Sequence, residues 1–78
     1  MTPAETFHSL VQAERARQDA RWGPPDASTD ALVLALVAIL TEETGEVARA
    51  VLEQDRDNLR TELVQVAAVA QKFWEALQ

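Results

Sequence analysis

Residues Ala31 to Leu40 read ALVLALVAIL, ten apolar residues in succession within a chain of 78. The surrounding sequence is rich in Ala, Leu, Glu, Gln and Arg and has no tyrosine, so the run reads as part of a helix. A surface helix carries an apolar stripe, whereas one that is apolar all round has to be covered all round. Two other short helices of the same chain cannot surround it. The run therefore predicts a partner subunit, in a homodimer or a homotetramer. At ten residues it is too short to span a bilayer.

Other routes to stability are closed. A chain of this size buries only about 60–65% of its unfolded surface, and small scaffolds usually compensate with disulfides, a structural metal or oligomerisation. The absence of cysteine removes disulfides, thiolate zinc sites and cysteine nucleophiles together. With one histidine, His8, read as an ordinary surface or boundary residue of the first helix, histidine-rich zinc sites and Ser-His-Asp triads have too few parts as well. Thirteen acidic against seven basic residues give a net charge of −6, which argues against a nucleic-acid polymer or an anionic membrane as partner. An acidic protein still handles a polyanion when a divalent cation sits between the two. With no basic-plus-apolar leader segment, the chain reads as a soluble, cytoplasmic protein.

Glycine and proline divide the chain into three helices and one domain, an all-α fold. The first helix is expected from about Pro3 to Arg21, capped by Thr2, with Glu5 at the positive end of its dipole. Trp22-Gly23-Pro24-Pro25 ends it. The second is expected to start at Ser28 or Asp30 as N-cap and to reach about Glu53. The third follows a polar turn centred near Gln54, with Asp55 or Asp57 as N-cap, and carries Leu63, Val66, Val69, Phe73 and Leu77. Gly45 is the one glycine inside a regular segment. It costs about 1 kcal/mol against alanine, which points to a close approach, of packing helix or of phosphate, with packing the simpler choice.

Seven of the thirteen acids fall between residues 42 and 62. Glu43 and Glu46 share a face of the second helix, as do Glu62 and Gln65 on the third. Glu46 and Glu62 are equidistant from Gln54, and so are Glu43 and Gln65. In an antiparallel hairpin with axes about 8–10 Å apart, such positions face one another. Three carboxylates and an amide oxygen converging there make a hard donor set suited to Mg²⁺, or Mn²⁺, rather than zinc or copper. Without a cation the carboxylates would repel and their pKa values rise. Glutamates three apart also make an ordinary solvated face, and the spacing alone leaves that alternative open.

The segment LTEETGEVARAVLE (Leu40–Glu53), followed by LRTELVQVAAVA (Leu59–Ala70), resembles the MazG-like all-α nucleoside triphosphate pyrophosphohydrolases. Their signature is ExxE, a spacer of a dozen or more residues, then ExxD. Glu43 and Glu46 match the first pair and Glu62 the glutamate of the second. The segment ERARQDARWG (Glu14–Gly23) is similar to the one preceding the core in small phage and cassette members. The resemblance implies hydrolysis of a nucleoside triphosphate to monophosphate and pyrophosphate with Mg²⁺, in oligomers whose helices build the sites together. It implies Glu43, Glu46 and Glu62 as metal ligands, with one of them or Glu42 as proton acceptor. Gln65 departs from the pattern: it offers a neutral oxygen where the family has an aspartate. That weakens the ligand set, and the alternative function is a catalytically silent helical oligomer that binds nucleotide or a protein partner.

Further candidates surround the carboxylates. Lys72, two turns beyond Gln65, either reaches a β- or γ-phosphate or is an exposed lysine. Arg15, Arg17 and Arg21 are phosphate contacts or surface ion pairs. Trp22 stacks on a base or packs under the proline loop, and Trp74 is expected in the core or an interface. Gln18 and Asp19 are substrate-binding candidates through the resemblance alone.

Overall fold

Each helix begins where a side-chain oxygen takes up one of the N–H groups that a helix start leaves without a partner. The computed structural model describes residues 1–78 as α1 (Pro3–Trp22), α2 (Asp30–Leu52) and α3 (Arg56–Ala76), 82% helical and without strands. Thr2 caps α1, and the cap is reciprocal: the Glu5 N–H donates to Thr2 Oγ1 at 3.1 Å and the Thr2 N–H to Glu5 Oε1 at 2.9 Å. Glu5 therefore does more than face the helix dipole. Asp55 caps α3, its side chain accepting from the Asn58 N–H at 3.0 Å.

The N-cap of α2 is Thr29, not Ser28 or Asp30. Thr29 has extended backbone angles and accepts from the Leu32 N–H at 3.2 Å. Ser28 is already committed, its N–H donating to Asp26 Oδ1 at 2.9 Å, and Asp30 becomes the first helical residue. Two residues adopt positive φ. Gly23 at 90° closes α1 with its N–H on the Asp19 carbonyl, and Gln54 at 58° marks the centre of the α2–α3 turn, where the sequence puts it.

The helices form a slab of 38 × 29 × 19 Å in which α3 lies between the other two. It packs on both, while α1 and α2 make no close approach to each other. The buried apolar residues are few and mostly small: Val11, Leu36, Ala50, Ala68 and Val69. Of the apolar run in α2, only Leu36 is buried; Val37 and Ile39 stay largely exposed and Leu34 is 69% exposed. Trp74 is also exposed, so it is no part of the subunit's core. A Cβ added at Gly45 meets nothing within 4 Å, so no close approach within the chain accounts for that glycine. No helix is long and apolar enough to cross a membrane.

Candidate active site

Where α2 and α3 face each other, the Glu43 and Glu62 carboxyl groups meet. The Oε2 atoms of both are shielded from solvent and have no hydrogen-bond partner. Burial, followed by the neighbouring Glu62 charge, pushes Glu43 above the ordinary carboxylate value; Glu42 and Glu46 add to the shift. Glu43 is thus the α2 carboxylate with an oxygen shielded beside Glu62. Glu46, one turn on, lies 3.8 Å from Arg49. No three acidic or histidine side chains of the single chain converge closely enough to hold a metal ion.

Two shielded carboxylate oxygens, left without a donor while both groups are ionised, fit a hard divalent cation. Mg²⁺ keeps several waters and commonly takes only one or two protein carboxylates, completing its shell with substrate phosphates. The donor chemistry of Glu43 and Glu62 is therefore compatible with it, and such a cation would offset the burial and the Glu62 charge that together raise Glu43.

Beside the carboxylate pair opens a cleft of about 450 Å³, between α1 and α2 with α3 as its floor. Its volume is that of a small-molecule site. From α1 it is lined by Glu14, Arg17, Gln18, Arg21 and Trp22, from α2 by Leu36, Ile39, Glu42 and Glu43, and from α3 by Gln65, Val69 and Lys72. Glu43 belongs both to the cleft and to the carboxylate pair, whereas Glu46 and Glu62 do not line the cleft. Trp22 is 69% exposed, with the Arg21 guanidinium 4.7 Å from its ring centroid. It does not pack under the proline loop.

A family model described as the MazG nucleotide pyrophosphohydrolase domain matches residues 33–75, more than half of the chain. The chain belongs to this family. No curated protein and no solved structure matches it. The match takes in the carboxylate pair, the Gln54 turn and the cleft floor of the MazG domain, but none of α1.

The α1 wall lies outside the matched residues, and its polar residues are engaged in ways the sequence did not disclose. Arg17 is bound to Glu14, with Nε donating to Glu14 Oε1 at 2.8 Å, and that bond holds Glu14 below the ordinary carboxylate range. Lys72 reaches the cleft but is held by Asp19 Oδ1 at 3.2 Å and donates to the Gly23 carbonyl at 3.0 Å. Asp19 does not line the cleft; Arg15 first, then Lys72, lowers its pKa. Gln18 is 6% exposed and accepts from Arg15 at 3.2 Å. Arg15, 4% exposed, is the residue that sequence reasoning misjudged: it is neither a phosphate contact nor a surface ion pair. The only signals for it were the i,i+4 spacing to Asp19 and the need of a buried cation for a carboxylate across the helix interface.

Proposed function

We propose that the chain is a Mg²⁺-dependent nucleotide pyrophosphohydrolase, with Mn²⁺ as a substitute, converting a ribo- or deoxyribonucleoside triphosphate to the monophosphate and pyrophosphate. The observation that carries this reading is the shielded, unpartnered Glu43–Glu62 carboxylate pair opening on a cleft with an exposed tryptophan and cations on its rim. Glu43 and Glu62 would hold the cation, and Glu46 would have to turn from Arg49 to join them as the third ligand. The chemistry supplied by a divalent cation there is neutralisation of the phosphate oxygens and greater acidity of an attacking water.

The residues of the chain do the rest. Trp22 offers a face for the base and Arg21 a guanidinium for the phosphates, while Gln65 and Gln18 hydrogen-bond the substrate. Lys72 stays on Asp19 and the Gly23 carbonyl and adds its positive charge to the phosphate side of the cleft. Water attacks the α-phosphorus in line as the bond to the α–β bridging oxygen breaks, and pyrophosphate leaves with that electron pair. Glu42, exposed on the cleft beside Glu43, takes the proton. A second copy of the chain covers the apolar residues of α2. In the cell such an enzyme removes unwanted or excess nucleotides.

The test is product analysis of the purified protein with ribo-, deoxyribo- and modified triphosphates in Mg²⁺, Mn²⁺ or EDTA. Metal-dependent release of monophosphate and pyrophosphate is expected, and release of diphosphate and inorganic phosphate would overturn the reaction assigned. A second reading, a catalytically silent oligomer that binds nucleotide or a protein partner, is favoured by Gln65 on the cleft wall and by the lack of a third converging carboxylate. Gln65→Asp separates the two: an enzyme with a weakened site gains turnover, and a binding module stays silent.

A further inference from the structure

We propose that Arg15 is a positioning residue for the cleft: by holding Asp19 and Glu75 together, it fixes the last turns of α1, with Arg21 and Trp22, against α3. The proposal rests on the cleft being the nucleotide site. The apolar hold of α1 on α3 is slight. Val11 is its one buried apolar residue, and the other two buried residues of the helix are Arg15 and Gln18.

Polar contacts take over that role. Arg15 Nη1 and Nη2 donate to the two Asp19 carboxylate oxygens at 2.8 and 3.2 Å. Its Nε and Nη2 donate to Glu75 Oε2 on α3 at 3.0 and 2.6 Å. Only a planar guanidinium serves two carboxylates at once in this way; the ammonium of a lysine is a single point charge. Asp19 then passes the connection to Lys72, again on α3, and Lys72 closes it on the Gly23 carbonyl, directly after Trp22. The chain Glu75–Arg15–Asp19–Lys72–Gly23 thus ties α1 to α3 on both sides of Arg21 and Trp22. Arg17 and Lys72 are each paired with a carboxylate, which leaves Arg21 as the cation of the cleft lining without an ion pair. The tie therefore places the group with most to offer a phosphate. It also gives the segment Glu14–Gly23 a physical task, since Arg15, Asp19 and Gly23 of that segment belong to it.

Arg15→Lys tests this in a Trp74→Phe background, where Trp22 is the sole indole. In the free protein, a lower fluorescence anisotropy and stronger acrylamide quenching of Trp22 are expected, with helicity retained. On the triphosphate that the parent chain hydrolyses best, KM should rise about tenfold or more with kcat within about twofold. A folded variant with unchanged Trp22 anisotropy and unchanged KM overturns the proposal, and so does a fall in kcat at constant KM. Should the lysine variant fail to fold, Glu75→Gln, which keeps an acceptor and loses the charge, is judged by the same criteria. A parent chain that hydrolyses no triphosphate would sink the proposed function, whereas the anisotropy of Trp22 decides the role of Arg15 without turnover.

Discussion

Glu43 joins the two halves of the site, since it lines the cleft and also faces Glu62. Its carboxyl is raised above 4.5 by burial and by its neighbours, so the folded chain holds that proton more tightly than the unfolded chain does. Stability contributed by this group is present below its unfolded value and falls as the pH rises through the interval up to the folded one. Glu43→Gln removes the titration. In EDTA, the variant is expected to flatten the loss of stability in that interval and to raise the denaturation midpoint at neutral pH above that of the parent. In Mg²⁺ the order reverses, because the parent gains a bound cation and the variant does not. Denaturant titrations across pH with and without metal check both halves, and a parent midpoint indifferent to Mg²⁺ would remove the cation from this pair.

At the scale of the helices, Gly45 presents the clearest choice. Nothing lies within 4 Å of a Cβ placed there, and the residue sits inside α2 away from either end. Gly45→Ala should therefore stabilise the fold by about 1 kcal/mol, the ordinary helix-propensity difference. Chemical denaturation reads this, and a loss of stability instead would put the close approach in a second subunit. Most of the element boundaries were legible because Thr2-Pro3, Gly23-Pro24-Pro25 and Asp55 act locally, each on its own backbone. Thr29 was missed because four residues in a row from Asp26 include three able to cap, and Ser28 had been taken by Asp26. Equal distances from Gln54 put Glu46 opposite Glu62 and Glu43 opposite Gln65, whereas the carboxyls that meet, Glu43 and Glu62, are offset from that register by three residues. The α1 wall was not legible. Its side chains bonded across to α3 are Gln12 and Arg15, which in sequence look like any solvated helix face, and no apolar periodicity distinguishes them.

For the whole molecule, the exposed face of α2 decides how the chain exists in solution. Leu34 and Val37, neither of them on the cleft lining, lie open in the single chain, and no large side chain is fully buried anywhere in it. If a second copy covers this face, each buried leucine contributes about 1.5–3 kcal/mol, and Leu34→Glu should dissociate the oligomer. Sedimentation equilibrium would show a shift to monomer, accompanied by a thermal midpoint that no longer depends on protein concentration. A parent chain that sediments as a monomer would withdraw the partner subunit. The position of α3 between the outer helices has a consequence for folding. Helices α2 and α3 follow one another across a tight turn, whereas the bonds from α1 to α3 join residues 59 and 60 positions apart, Gln12 with Gln71 and Arg15 with Glu75. Closing so long a loop costs entropy before any contact repays it. The α2–α3 hairpin is thus expected to form first and α1 to dock afterwards, which would make the cleft the last part of the molecule to be completed and the first to open when it breathes.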